Sequence, residues 1–353
     1  MSKILIAGAG GAPSEGVIYS LLQNPENEVV GMGAEPTDLI LSKAKRKYYI
    51  PYANDAKYKQ RLIEILEKEK PDLVHFQNDL EIYHASLIRD EILSTGTKIF
   101  MPEHAVIDTC VHKHKSYMAF KKANVKVPEN IIINDTSDLR CAFETLADAD
   151  GKIWLRDSGI GGGGKGALPT ADYELAKSWI DHYKGWGAFI AAEMLTSNTV
   201  TWLSIWHNGE LVVAQTRARQ GWTHGNRAIS GVTGVTKVGV TLSSEQVSDV
   251  AVSSVKAVSG KPHGIFGVDM AFDRNGVPNP TEINISRFFT TVRFFTEAGV
   301  NFPEIFKELA LGRIDNFPRN VINPLEDGLM WVRGMDTEPM LIANKQIEGG
   351  IVF

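Results

Sequence analysis

Cysteine is nearly missing from this chain: Cys110 and Cys141 are the only two among 353 residues. Without CxxC or zinc spacing they exclude a disulfide framework and a structural zinc site, and a reducing, cytoplasmic setting is the expectation. Long apolar runs are missing too, so no segment has the length of a membrane span. The N-terminus carries Lys3 and a short apolar stretch, but it runs into a glycine turn and Glu15, which is not the pattern of a cleaved leader. Positive charge is not in excess. The 37 Lys and Arg stand against 42 Asp and Glu, for a net charge of −5. No basic stripe stands out beyond Lys43 to Lys47, so nucleic acid is not an expected partner. Repeats, low-complexity tracts and long linkers are absent as well. With 43% hydrophobic and 22% charged residues, the chain has the composition of an ordinary soluble globular protein of two or three domains.

In the first hundred residues, short apolar runs alternate with helical periodicity. Ile4–Ala7, Glu28–Gly33, Leu73–Gln77 and Lys98–Met101 read as strands. Val17–Gln23, Tyr58–Lys70 and Glu81–Leu93 read as helices, with Leu62, Ile65 and Leu66 at helical spacing. Such alternation builds a parallel, Rossmann-like sheet. The first turn matches a dinucleotide fingerprint only in part. Gly8 and Gly10 fit, but Pro13 stands at the third glycine position, with Glu35 as the acidic residue after the second strand. A structural turn that binds no phosphate is the stronger reading.

From Asp108 onward the chemistry accumulates. His114–Ala123 reads as a helix flanked and studded by Lys113, Lys115, Lys121 and Lys122. The strand Lys152–Arg156 feeds a loop in which Gly161, Gly162, Gly163, Gly164 and Gly166 leave backbone N–H groups free to cradle phosphate oxygens, and Lys165 adds a charge. This is not a P-loop, because no Gly-Lys-Ser/Thr opens a helix after it. Phe189–Leu195 reads as a strand ending in Glu193-Met194-Leu195. Val200–Trp206 and Glu210–Thr216 read as a hairpin over His207-Asn208-Gly209, with Trp202 and Trp206 in the core. Arg217, Arg219 and Arg227 follow with few acidic neighbours. Arg217 reads equally as a surface arginine or as a ligand, and His224 as polar surface.

The most informative stretch is Gly264–Arg287. Asn275-Gly276 is a strong hairpin signal, because a two-residue type I′ loop needs positive φ at both positions. That loop sets Arg274 against Val277 and, counting back, Asp269 against Glu282, with Cα atoms roughly 4.5 Å apart in a non-hydrogen-bonded pair. Asn284, two residues on, shares the face of Glu282. Opposed carboxylates repel, and a divalent cation such as Mg²⁺ or Mn²⁺ resolves the conflict through hard oxygen ligands. A four-residue loop would shift the register by two and set Pro280 against Asp269, leaving only Glu282 and Asn284 together.

In this order, a basic helix, a glycine loop, a strand end and an acidic hairpin resemble the ATP-grasp superfamily, in its carbamoyl-phosphate-synthetase-like branch, over nearly the whole chain. The resemblance implies an α/β and α+β architecture. Residues 1–104 would be an N-terminal Rossmann-like pre-ATP-grasp domain, including Gln77-Asn78-Asp79-Leu80-Glu81. Residues 105–320 would be a two-subdomain ATP-grasp fold with its lid at about 127–190, and 321–353 would be C-terminal strands packed on it. ATP and Mg²⁺ (or Mn²⁺) are the implied cofactors. Lys115, in His114-Lys115, and Arg156 would reach the phosphates, under a lid of Gly161, Gly162, Gly163, Gly164 and Lys165. Glu193, Met194 and Leu195 would border adenine, and Asp269, Glu282 and Asn284 would hold the metal. Arg219 or Arg287 would hold the substrate carboxylate. Two departures stand out: Ser197 and Thr199 occupy positions where the family often has a ribose-binding glutamate, and Asn284-Ile285-Ser286-Arg287 displaces the arginine of Asn-Pro-Arg by one. The implied activity is ATP-dependent ligation of a small carboxylate to an amine through an acyl phosphate, releasing ADP and phosphate. Phosphorylation of a carboxylate or bicarbonate without amide formation, and nucleotide binding without catalysis, are the alternatives. The implied partners are small-molecule carboxylate and amine substrates, and a homodimer is compatible with the resemblance.

Overall fold

Ser2–Ala7 (β1), Asn27–Gly33 (β2), Arg46–Tyr49 (β3) and Leu73–His75 (β4) pair in parallel in the order β3-β2-β1-β4. β1 and β2 are buried almost end to end, as a parallel sheet covered on both faces requires. The helix Tyr58–Glu69 turns Leu62, Ile65 and Leu66 into that core. Two readings of this region need correction. Lys98–Met101 contributes a single bridge, from Lys98 to Leu73, and no strand. The helix expected over Glu81–Leu93 is two helices, Asp79–Leu87 and Arg89–Ser94, broken at Ile88, whose φ/ψ of −114° and 30° leave the helical region.

The computed structural model describes residues 1–160, 164, 166–231, 234–313, 319–334 and 340–343. A second sheet is antiparallel, built of Asn130–Ile133 (β5), Ile153–Asp157 (β6), Leu168–Thr170 (β7) and Phe189–Ala192 (β8) in the order β5-β8-β6-β7. Two helices back it, Thr136–Leu146 and Tyr173–Tyr183, capped by the carboxylates of Asp135 and Asp172. Leu139, Ala142, Leu155, Ala176 and Ile180 give it a small core of its own.

The third sheet is the largest. Thr199–His207 (β9), Glu210–Trp222 (β10), Thr236–Thr241 (β11), Gly264–Phe272 (β12), Pro278–Ile285 (β13), Val321–Ile322 (β14), Leu329–Val332 (β15) and Met340–Ala343 (β16) run β13-β12-β9-β10-β11-β15-β16, with β14 beside β10. The C-terminal strands therefore lengthen this sheet instead of lying on top of it: β15 pairs antiparallel with β11. Trp202 and Trp206 are buried in the core of this sheet.

The hairpin of β12 and β13 reaches the expected pairing by an unexpected route. Asp273 N–H donates to Val277 C=O, and Gly276 is the only loop residue with positive φ, at 76°. The loop is thus three residues, Arg274 to Gly276, and Phe272 faces Pro278. A bulge at Thr281 then restores the count, so Asp269 faces Glu282 and Gly267 faces Asn284. One extra loop residue and one extra strand residue cancel.

Candidate functional site

A cavity of about 800 Å³ opens between the second and third sheets, within the usual size range of small-molecule sites. β6 contributes Arg156 at one wall, and the segment after β8 contributes Glu193, Met194 and Leu195. From the third sheet come Arg219 and Trp222 on β10, Asp269 on β12 and Glu282 on β13. The bulge serves this geometry: the Thr281 carbonyl accepts from Arg156 Nη2 at 3.0 Å, tying the second sheet to the acidic hairpin. Burial pulls the Arg156 guanidinium below its usual pKa, while the Glu282 carboxylate opposes that shift.

Asp269 is the most heavily held group. Its Oδ1 accepts from Thr201 Oγ1 and lies 3.5 Å from Arg219 Nη2, and its Oδ2 accepts from Asn284 Nδ2 at 3.0 Å. Burial pushes its carboxyl upward, but Arg219, Thr201, Arg217 and Asn284 together bring it below the ordinary carboxylate range. It is an anion at neutral pH. The Glu282 carboxylate, opposite, makes no hydrogen bond or ion pair with the described residues; it lines the cavity and acts by charge on Arg156 and Arg287. Among the described residues no three His, Cys, Asp or Glu side chains form a metal cage. The set here is two carboxylates and the Asn284 amide, and an unpartnered carboxylate beside an ionised one fits a hard divalent cation.

Arg219 stacks its guanidinium 4.0 Å from the Trp222 ring centroid and donates to Thr199, Thr201 and Thr236. Arg217 is neither a surface residue nor a cavity ligand. It is 1% exposed; among the described residues its guanidinium donates to the hydroxyls of Thr201, Thr236 and Thr291, and it stacks on Phe289. Burial first, then Arg219, lowers its pKa to about 9, with Asp269 opposing.

The expected phosphate ligands separate. Lys115 does not line the cavity; its Nζ pairs with Asp108 at 2.6 Å on the exposed face of the helix Lys113–Lys122. Lys113 lines it instead, its Nζ 3.4 Å from the Gly159 carbonyl. Residues two apart on a helix face different ways, and the sequence offers no charge difference between them. Gly164 is part of the lining, whereas Gly161, Gly162, Gly163 and Lys165 lie outside the described residues. Glu193, Met194 and Leu195 follow the end of β8 instead of forming its last turn: Glu193 N–H bonds the Glu129 carbonyl, and its carboxylate takes the Glu129 N–H. Ser197 and Thr199 both line the cavity. Arg287 does not. It forms a two-pronged ion pair with Asp79, at 2.6 and 3.2 Å, one hydrogen-bonded step behind Asn284.

The glycine turn after β1 is filled by its own chain. Glu15 accepts from Gly10 N–H at 2.8 Å and Lys43 N–H at 2.9 Å, so an anion already sits in the cradle. A Cβ on Gly10 would meet the Asp38 carbonyl oxygen at 1.8 Å. Glu35, the candidate ribose ligand, instead bonds the Tyr52 hydroxyl.

No family model matches the chain, and no curated protein does. Solved structures do. A carboxyaminoimidazole ribonucleotide synthase from Aspergillus clavatus, complexed with ATP, superposes with a TM-score of 0.71 at 14% identity, over 94% of this chain and 81% of that one. The biotin carboxylase domain of a 2-oxoglutarate carboxylase from Hydrogenobacter thermophilus, a dimer with MgADP and bicarbonate, gives 0.70 at 17% identity, over 94% and 74%. An L-amino acid ligase from Bacillus licheniformis gives 0.65 at 11%, over 94% and 79%. The chain has the ATP-grasp fold.

Proposed function

We propose that the protein is an ATP-dependent ligase that activates a small carboxylate as an acyl phosphate and joins it to an amine, releasing ADP and phosphate. The observation that carries this reading is that Lys113 and Arg156 line one cavity together with the paired Asp269 and Glu282, in a fold whose ATP-bound neighbour covers 94% of the chain. The three neighbours named above are a synthase, the biotin carboxylase domain of a carboxylase, and an amino acid ligase.

Phosphoryl transfer asks for positioning and charge neutralisation more than for covalent help. Lys113 and Arg156 supply positive charge to the phosphates. The Met194 and Leu195 N–H groups, which make no backbone hydrogen bond among the described residues, would meet the adenine edge. Asp269 and Glu282 would hold Mg²⁺ or Mn²⁺, with Asn284 adding the lone pair of its Oδ1 that Arg287 leaves free; the cation neutralises phosphate charge when bound. Arg219, held in place by Trp222 and three threonines, offers its remaining N–H groups to the substrate carboxylate. That carboxylate oxygen attacks the γ-phosphorus, and the bond to the β-phosphate oxygen breaks to release ADP. The amine then attacks the acyl carbon, the carbon–oxygen bond to phosphate breaks, and the amine's surplus proton leaves with solvent.

The test is release of ADP and phosphate from ATP and Mg²⁺, screened against pooled small carboxylates and amines including amino acids. At least one pool should stimulate release severalfold, and stimulation should vanish in E282Q. Release indifferent to every pool would overturn the ligase reading. A homodimer is the assembly we attach to it, to be checked by light scattering. Among the described residues no helix is long and apolar enough to cross a membrane.

A further inference from the structure

The cavity wall accounts for Asp269 and Glu282, but the side chains that hold them extend well behind it. Arg287 Nε donates to Asp79 Oδ1 at 2.6 Å and its Nη2 donates to Asp79 Oδ2 at 3.2 Å. The same Nη2 donates to Asn284 Oδ1, and Asn284 Nδ2 donates to Asp269 Oδ2 at 3.0 Å. Four side chains thus form one line, from the first turn of the helix Asp79–Leu87 in the N-terminal domain to the acidic hairpin.

The backbone along this line is under constraint. Ser286 has a φ of 54° and is 3% exposed; a non-glycine residue there is strained and persists only when its surroundings over-determine it. The surroundings do so from both sides. Ser286 N–H donates to the Ile265 carbonyl of β12 at 2.8 Å. Two residues on, Gln77 grips Phe288 twice: Phe288 N–H donates to Gln77 Oε1 at 2.9 Å, and Gln77 Nε2 donates to the Phe288 carbonyl at 3.0 Å. Gln77 and Asp79 flank Asn78, whose side chain caps the same helix. One short turn of the N-terminal domain therefore clamps the exit of β13.

The polarity of the relay matters. A guanidinium has only donors and so demands the oxygen of the Asn284 carboxamide, which leaves its N–H₂ end facing Asp269. A fork locked on a carboxylate is planar and directional. We infer that Asp79 is a positioning residue of the metal centre, fixing Arg287, through it the carboxamide of Asn284, and through that the carboxylate of Asp269. The inference rests on the ligase reading above and extends it, by making the N-terminal domain part of the catalytic apparatus. Partners that orient metal ligands from behind typically affect metal affinity or activity by roughly 10- to 100-fold.

The test is a titration of Mn²⁺ in the presence of ADP, read from the electron paramagnetic resonance of the free ion, with thermal melts of every variant. D79N should weaken Mn²⁺ binding by roughly 10- to 100-fold with a melting temperature near that of the wild type, and D79E should recover part of the loss. ADP affinity without metal should stay unchanged, which a general structural defect would not allow. Wild-type Mn²⁺ affinity in D79N would overturn the inference and leave the ligase reading standing. Should D79N not fold, R287K decides: it keeps the charge and loses the fork, and unchanged Mn²⁺ affinity there would equally overturn it. Absence of Mn²⁺ binding by the wild-type protein with ADP would bring down the ligase reading and this inference together.

Discussion

Lys113 and Lys115 give the sharpest contrast available in this molecule. They are two residues apart on one helix, carry the same charge, and differ only in what surrounds them. Lys113 lines the cavity beside Arg156. Lys115 is half exposed and paired with Asp108 at 2.6 Å. If Lys113 meets a phosphate oxygen, its removal deletes a charge-assisted contact worth about 1.5–3 kcal/mol. At about 1.4 kcal/mol per decade, Lys113→Ala should raise the Kd for MgATP roughly 10- to 150-fold. An exposed pair contributes less than about 1 kcal/mol to stability, so Lys115→Ala should cost little in melting temperature and leave Kd within about twofold on the same scale. Isothermal titration calorimetry on both variants, with melts as a folding control, measures the contrast. Equal losses in the two variants, or a loss confined to Lys115→Ala, would refute the placement of the phosphates at this wall.

Glu282→Gln should keep the fold, because no described side chain hydrogen-bonds that carboxylate, yet turnover should fall by roughly 100-fold or more, beyond the loss typical of groups that orient a metal ligand; a steady-state assay at saturating Mg²⁺ decides, and full activity would remove the hairpin from the site. Glu81, buried beneath Tyr58 and Asn78, has its pKa pushed up to about 7 by burial, against hydrogen bonds from both partners. A folded pKa above the unfolded value of an acid means that the native state holds the proton longer, so stability falls as pH rises from about 4.5 to about 7. Glu81→Gln should flatten that slope and gain up to about 3 kcal/mol at pH 8, as denaturant titrations across this range would report; an unchanged slope would mean that Glu81 is ionised in the fold.

How much of this was legible beforehand differs by kind of evidence. Strand and helix alternation placed β1, β2 and β4 of the N-terminal parallel sheet, because apolar period follows directly from burial, whereas the half-exposed, charged Arg46–Tyr49 of β3 carried no such signal. The pairing of Asp269 with Glu282 was anticipated from a two-residue loop that does not form: a three-residue loop and the Thr281 bulge offset each other, and nothing local in Pro280-Thr281-Glu282 announces a bulge. That Lys113 and not Lys115 lines the cavity was not legible, because charge and spacing cannot tell two helix faces apart until the helix is docked. Arg217 gave no sign of burial, since an arginine in Thr216-Arg217-Ala218-Arg219 reads as surface or as a ligand; only the facing Thr201, Thr236 and Thr291, up to 74 positions away, make its interior place tenable. Arg287 looked like a substrate ligand from its nearness to Asn284, whereas its carboxylate partner Asp79 lies 208 residues upstream. The losses are thus concentrated in side-chain partners set by tertiary contacts, and the gains in elements set by local periodicity.

The acyl phosphate is the central claim, and interception of it is the most direct measurement. The protein is incubated with ATP, Mg²⁺, pooled small carboxylates and hydroxylamine in place of the amine, and the products are read by mass spectrometry together with the nucleotide formed. A hydroxamate of one carboxylate should accumulate in step with ADP, and both should disappear in Glu282→Gln. Hydroxamate accompanied by AMP would replace the acyl phosphate with an acyl adenylate, and ADP formed with no hydroxamate from any pool would contradict carboxylate activation outright.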